Sequence, residues 1–201
     1  MELICLDLEG VLVPEIWIAF SKKTGIDELK LTTRDINDYD ELMNYRLKIL
    51  DREGFLLKDI QAVIETLQPL EGAVDFVNKV RENYQLIILS DTFTQFASPL
   101  MKKLNYPTLF CNTLTVNSKG RITGYRLRQD DGKRKAVEGF EKMGFRVFAA
   151  GDSYNDVTMI KTADKGAFFK APDSIKTEFP EYPAAESHME LYSEIEKFFK
   201  E

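Results

Sequence analysis

Histidine, tryptophan and cysteine are nearly absent from this chain, at one, one and two in 201 residues. Cys5 lies inside an apolar run and Cys111 follows Leu109-Phe110, with no CxxC pair, so these two cannot build a zinc framework. Both are expected as buried, reduced thiols. The single histidine, His188, sits in Glu186-Ser187-His188-Met189 beside a C-terminal helical stretch and is expected at the surface rather than in catalysis. No window approaches the ~20 apolar residues that span a bilayer. The N-terminus carries acidic Glu2 and lacks a basic leader followed by an apolar stretch, so a cytoplasmic location is expected. Positive charge is also short: 27 Lys and Arg against 33 Asp and Glu give a net charge of −6 and a pI near 5.1. That balance argues against nucleic acid or an anionic membrane as partner, because both select basic surfaces. It leaves room for a small phosphorylated substrate, which needs only a few cations in a cleft.

What is present is a core-forming composition, 44% hydrophobic and 30% charged, large enough to fold without disulfides or structural metal. Leu3 to Leu8 reads as a buried parallel strand carrying Asp7 at its C-terminal end. Leu86–Leu89 is a second, ending at Ser90-Asp91-Thr92. Arg146–Ala150 is a third, ending at Gly151-Asp152-Ser153, and Gly166–Phe169 a fourth; Thr108–Phe110 is a short fifth candidate. Helical spacing recurs over Ala73–Val80, Ala136–Met143 and Asn155–Ala163, and Met189–Lys200 reads as a surface helix. Alternation of strand and helix predicts an α/β fold, a Rossmann-like three-layer core with a mostly parallel sheet. Leu114–Val116 and Ile122–Leu127 flank Asn117-Ser118-Lys119-Gly120, a β-hairpin signal. Residues 14–68 interrupt the alternation with helix-like patterns. They are expected to form a small helical cap domain inserted after strand 1, with 1–13 and 69–201 as the core domain.

Ligands of such sheets bind beyond the C-terminal strand ends. Asp7-Leu8-Glu9-Gly10 places two carboxylates there, one able to attack and the other to shuttle a proton. Gly151-Asp152-Ser153-Tyr154-Asn155-Asp156 adds an acidic turn that opens a helix. Mg²⁺ requires hard oxygen ligands, and Asp7 with Asp152 could supply them. Ser90 and the following amides could bind phosphate at a helix start. Lys133, or its neighbour Lys135, could neutralise the charge. Taken singly, each feature is equally compatible with a solvated turn, a helix cap or a surface basic cluster.

Together and in chain order, Asp-Leu-Glu-Gly-Val, strand-Ser, Lys before a helix, and Gly-Asp-x-x-Asn-Asp resemble the four motifs of the haloacid dehalogenase superfamily. The insert after the first motif, the length and the spacing are similar to phosphoserine phosphatases, and most of all to the bacterial type that also transfers phosphate to homoserine. The resemblance covers nearly the whole chain. It implies Mg²⁺-dependent phosphoryl transfer with Asp7 as nucleophile and metal ligand. It implies Glu9 as general acid/base with its carbonyl on the metal, and Asp152 as metal carboxylate. Ser90, the Asp91 amide, Lys133 and Asn155 are implied at the phosphate, and Asp156 as an outer carboxylate. Glu15 is implied at the substrate amino group and Arg46 at its carboxylate. O-phosphoserine is the substrate so implied, with homoserine as a second acceptor; another small phosphorylated metabolite is the alternative. A homodimer is left open beside a monomer. Three departures bear on substrate range: Glu9 is one methylene longer than the usual aspartate, Asp91-Thr92 stand where glycines are usual, and Ser153 replaces another glycine.

Overall fold

The computed structural model describes residues 1–32, 35–36 and 38–200. Its frame is one seven-stranded sheet built from β1 (Glu2–Leu6), β2 (Gln85–Phe93), β3 (Thr108–Val116), β4 (Ile122–Arg126), β5 (Arg146–Gly151), β6 (Lys165–Phe169) and β7 (Ala184–Ala185). The order is β4-β3-β2-β1-β5-β6-β7, parallel throughout except for the antiparallel β3–β4 hairpin. The first strand therefore lies in the middle, with β2 and β5 on either side. Residues just past the ends of β1, β2 and β5 are neighbours in space although far apart in sequence.

Both faces of the sheet are covered. Ile4 and Leu6 of β1 pack in one apolar cluster with α4 (Ala73–Asn83), α5 (Thr94–Lys103) and α9 (His188–Lys200). Leu3 and Cys5 pack in the other with α6 (Gly132–Lys142) and α7 (Val157–Thr162). The period-2 alternation of a strand buried on both sides produces this split. It is the three-layer α/β architecture expected from the alternating segments.

Between β1 and α4 stand α1 (Ile16–Thr24), a 3-10 turn (Asp27–Lys30), α2 (Tyr39–Glu53) and α3 (Leu57–Thr66). The start of α2 is fixed by the Asp38 side chain, which accepts from the Glu41 amide at 2.8 Å. Its end falls at Gly54, whose φ of 73° suits glycine. The two chain crossings into and out of these helices touch: the Leu70 amide donates to the Leu12 carbonyl at 2.9 Å.

Five readings of the sequence change. β2 continues through Ser90 to Phe93, because the chain stays extended and rejoins β3 at Asn112 after a register shift between Leu89 and Phe93. The Thr108–Phe110 and Leu114–Val116 segments are one strand, parallel to β2 in its first half and antiparallel to β4 in its second. The helix expected from Asn155 starts as a 3-10 turn (Tyr154–Asp156) and becomes α-helical at Val157. His188 is buried, not at the surface. Its Nε2 lies 2.8 Å from the Val11 carbonyl and its Nδ1 3.0 Å from the Glu71 carbonyl, with the ring against Phe76 and Phe169. A lone polar residue at the start of an amphipathic helix gives no hint of these distant carbonyls. Of the two cysteines, Cys5 is buried and Cys111 only half-buried.

His188 thus ties the C-terminal helix to both cap crossings. His188→Ala removes a ring from between two aromatics and takes its N–H from a backbone carbonyl. It should lower unfolding free energy by about 2–4 kcal/mol. Urea denaturation checks this, and a loss below about 0.5 kcal/mol, the scale of an ordinary surface change, contradicts a buried bridge.

Candidate active site

Asp7 follows β1 directly and is buried. Its amide continues the ladder by donating to the Ala150 carbonyl at 2.9 Å. Its Oδ1 accepts from the Leu8 amide at 2.7 Å and lies 3.0 Å from Lys133 Nζ. Lys133 comes from the first turn of α6, and its side chain is only 4% exposed. The same ammonium donates to Asp156 Oδ1 at 2.7 Å and lies 3.7 Å from Asp91 Oδ2. Lys135 points elsewhere, 3.5 Å from the exposed Asp130. Geometry therefore puts Lys133, not Lys135, at Asp7.

The acidic turn after β5 is organised by Asp156. Its Oδ2 accepts from the amides of Asp152 at 3.0 Å and Ser153 at 3.1 Å. Gly151 is obligatory here, since a Cβ on it would lie 2.1 Å from Asp156 Cγ. Gly10, at φ +78°, performs the same service on the other side: a Cβ there would lie 2.4 Å from the Asp152 carboxylate. Carboxylate oxygens of Asp7, Asp152 and Asp156 consequently gather within 4.8 Å of one another. A compact set of hard oxygen donors is the chemistry that Mg²⁺ selects, so the residues present fit that ion.

Burial pushes the Asp7 carboxyl well up, reinforced by the Asp156 and Asp152 charges and opposed by Lys133. Burial works against the Lys133 charge too, yet Asp156, Asp7 and Asp91 outweigh it and hold the ammonium well above its ordinary value.

A second group faces this cluster from the cap side. Glu9 Oε2 accepts from the Ile16 amide at 2.8 Å, and burial raises its carboxyl. Glu15, at the start of α1, is raised to about 7 by burial and by Glu9 beside it. Arg46 of α2 is buried, with Nη2 donating to the Leu31 carbonyl at 2.8 Å and the guanidinium 4.6 Å from the Trp17 ring centroid. Its buried Nε–H has no acceptor among the described residues. Desolvation lowers Arg46 to about 10, with Glu9, Tyr39 and Glu15 opposing. Ser90 is buried on β2, its Oγ accepting from the Thr92 amide at 3.2 Å. Asn155 Nδ2 donates to Asp91 Oδ2 at 3.0 Å.

A cavity of about 650 Å³ joins all of these. Asp7, Glu9, Glu15, Arg46, Ser90, Asp91, Lys133, Asp152 and Asn155 all line it. Sequence reasoning missed Tyr39, whose hydroxyl donates to the Asp91 carbonyl at 3.1 Å. Tyr39, Leu42 and Arg46 fall at i, i+3 and i+7, one helix face, and that spacing was the available signal. Trp17 also lines the cavity, with its ring edge-on to Phe96.

An acid cluster at the C-terminal ends of neighbouring parallel strands, tied by a buried lysine and roofed by an inserted helical segment, defines a class of phosphoryl-transfer hydrolase. Residues 18–161 match the model of the haloacid dehalogenase-like hydrolases, and the chain belongs to that family. It is 57% identical over 197 residues to the phosphoserine phosphatase ThrH of Pseudomonas aeruginosa, covering 98% of this chain and 96% of the relative. It is 56% identical over 197 residues to a phosphoserine phosphatase of Pseudomonas syringae pv. tomato, covering 98% and 83%. A solved phosphoserine phosphatase in its apo form shares the fold, with a TM-score of 0.76 at 21% identity over 93% of this chain and 94% of that one.

Lys133→Met strips the cation from buried Asp7 and Asp156. It should destabilise the metal-free protein by about 3–5 kcal/mol, with Mg²⁺ restoring part of the loss. Thermal unfolding with and without Mg²⁺ tests this; an unchanged midpoint contradicts the charge arrangement.

Proposed function

We propose that this enzyme hydrolyses O-phosphoserine through an aspartyl-phosphate on Asp7 and also passes the phosphoryl group to homoserine. The observation that carries the substrate reading is the pairing of Glu15 and Arg46 across one cavity, with a buried Arg46 Nε–H lacking an acceptor. An anion and a cation so placed suit the ammonium and carboxylate of an amino acid. Beside them lies the acid cluster with Lys133. The names of the relatives support the same choice.

Asp7 and Asp152 would hold Mg²⁺, together with the Glu9 carbonyl, while Asp156 keeps Lys133 and the turn in place. When bound, Mg²⁺ supplies charge neutralisation at the phosphoryl oxygens. Lys133, Ser90, the Asp91 amide and Asn155 bind and orient the phosphoryl group. An Asp7 oxygen attacks phosphorus as the bond to the serine oxygen breaks, and Glu9 gives its proton to that oxygen. Glu9 then takes a proton from the acceptor, water or the homoserine hydroxyl, as its oxygen displaces Asp7. The raised pKa of Glu9 suits it to carry a proton into the first step.

Residues 14–68 act as a cap domain over a core of 1–13 and 69–201, excluding water so that an alcohol can compete for the intermediate. No helix among the described residues is long and apolar enough to cross a membrane, and a cytoplasmic location fits a small-molecule substrate. A homodimer is compatible with this reading, since the groups named above all come from one chain.

Incubating the enzyme with O-phosphoserine, homoserine and Mg²⁺ and resolving the products tests the reading. Serine with both inorganic phosphate and phosphohomoserine is expected; no serine release, or turnover unaffected by EDTA, contradicts it. Glu15 gives a pH signature. With its pKa near 7 in the ligand-free state, it must lose a proton to meet the substrate ammonium. KM for O-phosphoserine should therefore rise as pH falls below about 7, approaching tenfold per unit. A phosphomonoester without the amino group should lack this limb, as should Glu15→Gln. A shared limb in all three contradicts the assignment.

A further inference from the structure

The Asp91 carboxylate has no part in the scheme above, which uses only the Asp91 amide. Yet its Oδ2 accepts from Asn155 Nδ2 at 3.0 Å and lies 3.7 Å from Lys133 Nζ. Those are two of the groups assigned to the phosphoryl oxygens. The backbone around it is pinned, the Asp91 carbonyl accepting from Tyr39 Oη and from Asn112 Nδ2, each at 3.1 Å. The side chain itself is 42% exposed and faces the cavity, so it can rotate while the backbone stays. A carboxylate on an amide donor and an ammonium imitates the anion those donors would otherwise bind.

We propose that the Asp91 carboxylate occupies the phosphoryl donors in the ligand-free enzyme and must swing aside for a phosphorylated ligand, so that inorganic phosphate binds weakly. The inference rests on the phosphoryl site proposed above. Displacing Asp91 costs every phosphorylated ligand the same amount, and the displaced charge still repels the phosphate nearby. A phosphorylated amino acid recovers that cost through Glu15 and Arg46. Inorganic phosphate has no such anchors and is rejected. Asp91 therefore lowers the affinity for free phosphate, and a ligand needs further anchors such as Glu15 and Arg46 to bind well against it.

The test is calorimetric binding of inorganic phosphate to the Mg²⁺-loaded and metal-free protein, for wild type, Asp91→Asn and Asp91→Ala. Asp91→Asn keeps an oxygen for Asn155 and removes only the charge. Both variants should bind phosphate about five- to tenfold more tightly than wild type, the scale of one partly screened charge at this range. O-phosphoserine KM should fall by a similar factor, because the displacement cost is common to both ligands, so the ratio of phosphate Ki to KM stays within about twofold of wild type. Should one variant fold poorly, as judged by its urea midpoint, the other carries the measurement. Phosphate affinity unchanged within about twofold, or weakened, in the folded variants overturns the proposal. Tighter phosphate binding by an enzyme that fails to turn over O-phosphoserine supports the role of Asp91 while removing the substrate assignment.

Discussion

The charge of Lys133, taken out of water, is the constraint around which the site is arranged. An ammonium with a 4% exposed side chain persists only where anions surround it closely, and Asp7 at 3.0 Å and Asp156 at 2.7 Å do so. Each partner belongs to a different piece of the sheet, Asp7 to the end of β1 and Asp156 to the turn after β5. The ion cluster thus also fixes the relative position of those two segments. Asp156 in turn holds the amides of Asp152 and Ser153. The charges do not balance within the chain: carboxylates of Asp7, Asp91, Asp152 and Asp156 gather around one ammonium, so acid is in excess. That excess of hard oxygen donors is what a divalent cation such as Mg²⁺ would offset.

The cap side of the cavity works on a weaker field. Glu9, Glu15 and Arg46 form a mixed cluster in which burial raises both acids and lowers the arginine, so each is held away from its preferred charge state. On the function proposed above, a zwitterionic amino acid brings an ammonium to Glu15 and a carboxylate to Arg46. Tyr39 joins this region to the phosphoryl side through the Asp91 carbonyl, and Gln61 of α3 reaches the Gln95 carbonyl of α5 at 2.9 Å. Helices α2 and α3 are therefore bonded to the residues that follow Ser90. On the function proposed above, substrate recognition and phosphoryl binding share that short stretch of β2.

Much of this was legible before any coordinates. Short apolar runs ending in acid or serine identify Asp7, Ser90 and Asp152, because parallel strands expose their C-terminal ends to ligand and bury everything before them. The regular alternation around them gives the three-layer sheet. What escaped depended on contacts without local pattern. The extension of β2 past Ser90 is decided by re-pairing at Asn112 of another strand. The burial of His188 is decided by carbonyls of Val11 and Glu71, more than 100 residues upstream. The choice of Lys133 over Lys135 depends on which side of α6 faces β1, and two lysines two residues apart at a helix start leave that open. Tyr39 was hidden for a simpler reason: one aromatic at a helix start has many uses.

Phosphorylation of Asp7 is the claim beneath all of this. Brief reaction with ³²P-labelled O-phosphoserine and Mg²⁺, followed by acid quench and peptide mapping, measures it directly. The account predicts an acid-stable, hydroxylamine-labile label confined to the peptide containing Asp7 and absent from Asp7→Asn. Label on any other residue, or full turnover by Asp7→Asn, would contradict it.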